Sequence, residues 1–371
     1  MRAKGSATKR GDGRWATSVR LPSGRRQYLY ADSQRAVLRK AAALRQALAE
    51  GRDGTEDRRT VEAYLTEWLE STTQRVRPST ARRYEQLVRR HALPALGRLT
   101  LAQLRPAVLQ GLYTDLVAAG LAPATVRQLH AILHHALAQA ARWGLVSQNV
   151  ADLVTPPRVP RYEARTLTAQ QARTLLAAVR GDALEALYVL ALYTGLRQGE
   201  LLGLRWADVD LERGRLAVRG TLGRDATGTL AVAETKTARS RRQVPLAPSA
   251  VTALRAHGAR QAEARLRAGP AWQGTDLIFT EADGRPLNSR ELLRGHWYPL
   301  LARAGLPRIR FHDLRHTVAT LLLEEGVHPR VAADALGHST TALTLNTYSH
   351  VSATVAAEAA ARLARLLDDA G

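Results

Sequence analysis

Two arginines, a lysine, three histidines and a tyrosine in the C-terminal half of this 371-residue chain are of the types that can move a phosphoryl group. Arg197 stands in TGLRQGELLGLRW (194–206), Lys236 in ETKTARSRR, His312, Arg315 and His316 in RFHDLRHT (310–317), His338 in ALGHST and Tyr348 in TLNTYSH. Breaking and rejoining a phosphodiester without a metal builds negative charge on the equatorial oxygens. Two guanidiniums, always protonated and fork-shaped, are the natural clamps for it. A nucleophile, a proton donor for the leaving oxygen and imidazoles to shuttle protons complete the set.

Each of these residues also has a plainer reading. Arg197 and Glu200 are three apart, a spacing at which the carboxylate can orient the guanidinium or merely form a surface ion pair. His312 and Arg315 share a helical face. His316, four residues from His312, makes the spacing compatible with a zinc pair of the HExxH kind, but the second position is Asp313 and Arg315 on the same turn would repel a cation. Most isolated tyrosines are amphipathic packing. Tyr348 is instead flanked by Asn346, Thr347, Ser349 and His350, so its hydroxyl is expected to face a groove. A phenol with an ordinary pKa near 10 needs a positive environment to attack at neutral pH, which the arginines with His312 would supply.

The lysines add an independent argument. The chain has four lysines against fifty arginines, and Lys236 is the one lysine beyond residue 40. Chance can retain one lysine, but a position that keeps it where arginine is otherwise used can need a group that releases a proton, which guanidinium does not do. Lys236 lies between two strand-like runs, where a hairpin tip would enter a groove.

Composition narrows the partner. Fifty-four basic against thirty-three acidic residues leave a net charge of +21, a field that attracts a polyanion, and nucleic acid is the first expectation. The excess is spread: fifteen basic against six acidic in 1–59, twelve against seven in 60–163, and twenty-seven against twenty beyond. Several domains facing one polyanion explain this better than a single basic tail. The absence of cysteine excludes disulfides, thiolate zinc sites, iron–sulfur clusters and cysteine nucleophiles. No cofactor or metal is expected. The first fifteen residues contain no apolar signal region, and the longest apolar stretch, 183–196, is interrupted by Glu185 and too short to span a bilayer. A cytoplasmic, nucleoid-associated protein with no membrane contact is the expectation.

The elements that must position these residues can be read along the chain. The fold class expected is mainly α with small β-sheets, an α+β arrangement in several domains. Residues 1–59 read as a small sheet-plus-helix module and linker: strands at 15–20 and 27–30 around a turn at 21–24, then a helix over 32–50, the alternative being a flexible basic arm. Residues 60–155 read as four helices, over 61–69, 80–91, 107–119 and 123–143. The second carries Arg82, Arg83, Arg89 and Arg90, either a solvated face or a phosphate footprint. The proline-rich stretch at 156–167, with Arg158 and Arg161, is an extended linker able to lie along a phosphate backbone. Arg239 and Arg241, beside Lys236, are further candidates for DNA contact. A mostly helical domain fills 168–371, opened by a Thr168–Gln171 capping box, with strand-like pieces at 215–219, 230–235, 243–246 and 277–280. A last helix at 355–367 has an apolar side that needs a partner.

Taken together, the ordered set Arg197, Lys236, His312-x-x-Arg315, His338 and Tyr348 resembles the tyrosine recombinases, also called the phage integrase family. The resemblance runs over 194–350 through TGLRQGELLGLRWADVD, TKTARSRRQVPL, HDLRHTVAT, LGHS and NTYSH, with no departure at the six positions. It implies that Tyr348 attacks the scissile phosphate to give a 3′-phosphotyrosyl link, that Arg197 and Arg315 hold the phosphate oxygens and that Lys236 protonates the departing 5′ oxygen. His312 would assist proton transfer and His338 would donate a hydrogen bond to the phosphate. It further implies double-stranded DNA with specific recombination sites as substrate, a homotetramer working through a Holliday junction, and a terminal helix packed on a neighbouring protomer. An accessory bending or directionality factor is a further partner of such systems. By the same resemblance, 60–155 is a core-binding domain and 1–59 an arm-binding module of the kind found in integrases. A Xer-like or element-excision recombinase would use the same chemistry. A metal-dependent nuclease or transposase would need a cluster of acidic residues, and a noncatalytic DNA-binding regulator would not need the tyrosine and both arginines.

Overall fold

The computed structural model describes residues 7–20, 26–49, 59–160, 162, 164–225, 227–234 and 242–337. The chain divides into two compact units, Met1–Arg161 and Tyr162–Gly371.

The first unit opens with an antiparallel sheet of β1 (Thr8–Lys9), β2 (Trp15–Arg20) and β3 (Arg26–Ala31), in that order, with Trp15 opposite Ala31 and Arg20 opposite Arg26. Helix α1 (Gln34–Ala49) packs against β2, and Thr17, Val19, Val37 and Ala41 are buried. The basic N-terminal stretch is therefore a module with a small core of its own, and not a bare arm. The expected turn at 21–24 and the linker at 51–58 lie outside the described residues.

Helices α2 (Val61–Thr73), α3 (Pro78–Leu87), the short α4 (Leu93–Leu96), α5 (Pro106–Ala118) and α6 (Pro123–Arg142) follow. Their apolar faces meet in one core around Trp68, Tyr64 and Tyr113, where each buried polar tip finds a hydrogen-bond partner. Tyr64 donates to the Ala136 carbonyl at 2.6 Å and the Trp68 indole N–H to Gln139 Oε1 at 3.2 Å. The helix expected over 80–91 does not run straight through: Val88–Ala92 form a π turn before α4. Pro94 is the cause, because its ring crowds the carbonyl four residues back and it has no N–H to give. The Leu93 N–H reaches five residues back to Val88 instead.

The second unit is built around a helix that is apolar on every side. Helix α7 (Ala169–Ala178) starts at the Thr168–Gln171 capping box as the sequence predicts, and α8 (Glu185–Thr194) follows with Ala186 through Ala191 all buried. Short α9 (Gln198–Leu202) leads to β4 (Val209–Asp210), β5 (Arg215–Val218), β6 (Gly220–Arg224), β7 (Leu230–Glu234) and β8 (Arg242–Pro245). The helices α10 (Pro248–Ala268), α11 (Ser289–Glu291), α12 (Tyr298–Arg303), α13 (Asp313–Glu324) and α14 (Pro329–Leu336) complete the described part. A cluster of Tyr188, Trp297 and Phe311 anchors the start of α13 against α8, with ring centroids 5.7 Å apart for Tyr188–Trp297 and 5.4 Å for Trp297–Phe311.

The strands depart from expectation in two ways. They form a three-stranded antiparallel sheet, β4-β5-β8, and a separate β6-β7 hairpin, so the two runs flanking Lys236 pair with different partners and not with each other. Residues 277–280 do not form a strand and make only isolated bridges. Their carbonyls are taken by side chains of α10: Gln261 donates to Leu277 and Ile278, and His257 to Ile278 at 2.8 Å. With those groups already satisfied, no sheet partner is required.

Candidate active site

The site hangs from the end of α8. Gly195 closes that helix in the left-handed conformation (φ +59°), and a Cβ there would run into the Leu336 side chain, so both backbone and space call for glycine. The turn delivers Arg197 to the N-terminus of α9. Glu200, one turn on, accepts from the Arg197 backbone N–H through Oε2 at 3.0 Å and from its guanidinium Nη1 through Oε1 at 2.8 Å. The same carboxylate thus caps the helix and aims the arginine. Its side chain is only 4 % exposed, which removes the surface-ion-pair reading.

Arg315 comes from α13, a helix packed on α8, and is buried. Its Nη1 donates to the Gly195 carbonyl at 2.9 Å, two residues before Arg197. Burial, with Arg197 and Arg242 nearby, pulls the Arg315 pKa down to about 9, so the group stays charged at neutral pH. Burial works to raise the Glu200 carboxyl, but Arg242 and Arg197 outweigh it and hold it below the ordinary carboxylate range. Guanidiniums gathered this way on one carboxylate leave surplus positive charge, the electrostatic requirement for gripping a phosphate.

His312 immediately precedes α13, and its ring stands edge-on to His316 with centroids 5.3 Å apart. Desolvation by the surrounding protein, with His316, Arg315 and Arg310 beside it, lowers its pKa to about 4, so the imidazole is neutral at physiological pH. The helix start itself is pinned by Asp313, which is fully buried and accepts from the Arg310 guanidinium at 2.9 Å and from the Tyr162 hydroxyl at 2.8 Å. The Arg310 guanidinium lies 3.4 Å over the Tyr162 ring.

Of the six expected site residues, the described part brings Arg197, His312 and Arg315 to one end of α8 and α13. Lys236, His338 and Tyr348 lie outside the described residues, as do Arg161, Arg239, Arg241 and the helix expected at 355–367. The chain entering His338 is nevertheless tied to the clamp, since α14 ends at left-handed Gly337 and the Gly337 carbonyl accepts from Arg197 Nη2 at 3.2 Å. In the first unit, Arg83 donates to Gln128 and Arg89 pairs with Glu85, Arg90 is exposed in the π turn, and Arg82 lies on α3. Arg158 is exposed.

One site residue escaped the sequence reading. Arg242 opens β8 with its side chain 10 % exposed and donates to Glu200 Oε2 at 3.1 Å. A signal for it exists: Arg242 is in phase with Val244 and Leu246, both buried, and an arginine on the inward phase of a strand needs a buried counter-ion.

Known proteins are similar to this chain in sequence and fold. The model of the phage integrase family matches residues 165–354, and that of the phage integrase N-terminal SAM-like domain matches 60–117. A tyrosine recombinase XerC-like protein of Caldanaerobacter subterraneus is 31 % identical over 293 residues, 74 % of this chain and 75 % of its own. An integrase of Saccharopolyspora erythraea is 28 % identical over 82 % of both chains. Among solved structures, the Tn1549 transposon integrase in complex with transposon right end DNA superposes with a TM-score of 0.69 at 23 % identity, over 82 % of this chain and 99 % of that one. A lambda integrase tetramer bound to a Holliday junction does so with a TM-score of 0.57 at 18 % identity, over 92 % and 94 %. These last two likenesses bear on the fold. With the family model spanning more than half of its length and the XerC-like relative 31 % identical over 74 % of it, this chain belongs to the phage integrase family of tyrosine recombinases.

Proposed function

We propose that the chain is a site-specific DNA integrase that cuts and rejoins strands through a 3′-phosphotyrosyl intermediate at Tyr348. Arg197 and Arg315 grip the scissile phosphate, His312 in its neutral form takes the phenolic proton, Lys236 protonates the 5′ oxygen as it leaves, and His338 donates to a phosphate oxygen. The P–O bond to the 5′ oxygen breaks as the bond to the phenolic oxygen forms, so a second 5′-hydroxyl can reverse the step without ATP or metal. The observation that carries this reading is the anchoring of Arg315 on the Gly195 carbonyl, two residues from Arg197, which gathers two fixed positive charges at one end of two packed helices.

Double-stranded DNA bearing specific recombination sites is the substrate in this reading, and a homotetramer passing through a Holliday junction is the working assembly. The lambda integrase tetramer, with the same fold, supports it. We assign 60–155 to core-site binding, 156–167 to an extended linker able to follow the phosphate backbone, and 168–371 to catalysis with an exchange helix at the C-terminus. The sheet-and-helix module within 1–59, net positive, supports an arm-binding role and hence integration over Xer-like resolution or excision.

Incubation with a nicked duplex carrying the site traps the covalent adduct, because the short strand diffuses away and the reverse step is lost. Wild type is expected to accumulate adduct in excess chelator and Tyr348→Phe to accumulate none. Equal adduct from both proteins would remove Tyr348 as nucleophile. Absence of adduct from wild type, with tight binding retained, would revive the noncatalytic regulator.

A further inference from the structure

Arg242 is a buried guanidinium to which the mechanism above gives no task. Its Nη2 is spent on Glu200, while Nε and Nη1 are buried and have no hydrogen-bond partner among the described residues. They lie against the left-handed turn at Gly337: a Cβ on that glycine would stand 2.9 Å from Arg242 Cζ and 2.9 Å from Nη1. Gly337 is thus held from two sides, its carbonyl by Arg197 and its Cα by the Arg242 guanidinium. Glu200 is shared in the same way, Oε1 serving Arg197 and Oε2 serving both the Arg197 N–H and Arg242.

Burying a third guanidinium beside two others is costly unless the arrangement is used, because one carboxylate cannot neutralise three cations. Arg197, Arg242 and Arg315 with Glu200 carry a surplus of two positive charges. A phosphodiester carries one negative charge and its pentacovalent transition state two. Glu200 alone, without Arg242, could rotate off Arg197 or draw the guanidinium inward, away from a phosphate.

We propose that Arg242 is a positioning residue for strand cleavage: it locks Glu200 so that Arg197 is held at a fixed angle, and it braces the Gly337 turn from which the chain continues to His338. This rests on the phosphotyrosyl reading of the site. Arg242 acts through its neighbours and touches no reacting atom.

The test uses the full chain carrying Arg242→Gln, Arg242→Lys, Glu200→Gln and the Arg242→Gln/Glu200→Gln pair, with adduct formation on the nicked duplex measured at saturating protein. The expected result is a loss of about 100-fold in adduct rate for Arg242→Gln with DNA affinity within about threefold of wild type. Lysine supplies the charge but not the fork, so Arg242→Lys should recover only part of the rate. The double variant should be no slower than the slower single one, since both changes break one contact. A wild-type rate in folded Arg242→Gln, or losses that multiply in the pair, would overturn the proposal. Should Arg242→Gln fail to fold, Arg242→Lys carries the test, and a wild-type rate there overturns it.

A readout free of chemistry separates the two readings. The guanidinium nitrogen signals of Arg197, assigned by Arg197→Lys, should be sharp and slowly exchanging in wild type and broadened in both Arg242 variants. Unchanged Arg197 signals remove the positioning role whatever the activity. Absence of adduct from wild type, with the signals responding as expected, removes the phosphotyrosyl assignment alone.

Discussion

Arg315 on α13 donates to the carbonyl oxygen of Gly195 at the end of α8, at 2.9 Å, so one arginine of the clamp is hung on the turn that delivers the other. The positions of the two guanidiniums are therefore coupled through a single peptide unit. Gly195→Ala should break this coupling. The new methyl group would collide with the Leu336 side chain in a backbone conformation that alanine disfavours. A destabilisation of about 2–3 kcal/mol is expected, visible as a lower thermal midpoint, together with slower adduct formation in the fraction that stays folded. An unchanged midpoint would mean that α14 moves aside without cost.

Glu200 is nearly fully buried and bonded to two arginines, so its removal leaves their charges without a counter-ion. Glu200→Ala should cost about 3–5 kcal/mol of stability, and Glu200→Gln less, because the amide oxygen can still accept. Denaturant unfolding measures the difference. Both variants should slow cleavage more than they weaken DNA binding, which is expected to rest largely on phosphate contacts elsewhere.

Stability should fall as the solution is made acidic. His312, His316, His257, His130 and His91 all have pKa values below the ordinary histidine value of 6.5, with His312 at about 4. Desolvation by neighbouring protein atoms is the leading cause in each, joined at His312 by His316, Arg315 and Arg310. Between pH 6.5 and about 4 the unfolded chain binds more protons than the folded one, so the histidine contribution is complete above about pH 6.5 and is lost as pH drops towards 4. Thermal midpoints measured across that range should decline, and His312→Gln should flatten the decline. A His312 ring titrating at or above 6.5 by nuclear magnetic resonance in the DNA-free protein would overturn this account of the pH dependence.

Lys236→Arg should preserve DNA binding and slow strand cleavage by at least about 100-fold, since guanidinium is a poor proton donor. A substrate whose leaving 5′ oxygen is replaced by sulfur needs no such donor and should restore most of the rate. An equal defect on both substrates would take Lys236 out of the role of acid.

Much of the local structure is legible in the residues, because local sterics and hydrogen bonds act over a few positions. Thr168 and Gln171 mark the start of α7, Gly195 and Gly337 the ends of α8 and α14, and the spacing of Val61, Tyr64, Leu65 and Trp68 gives the buried face of α2. The π turn at Val88–Ala92 was legible in principle from Pro94. Strand pairing was not, since the alternation of 230–235 and 243–246 identifies strands without choosing β6 and β5 as their partners.

The order and types of Arg197, Lys236, His312, Arg315, His338 and Tyr348 are what point to the proposed chemistry, because they are groups able to clamp a phosphate and move its protons. What sequence distance hides is that Glu200 serves Arg197 and Arg242 at once, that Arg315 hangs on Gly195 from 120 residues away, and that Gly337 lies between two guanidiniums. Those contacts join segments far apart in the chain. They form only when α8, α13 and β8 pack around one core, and the cost of burying charge then selects which cations share a carboxylate.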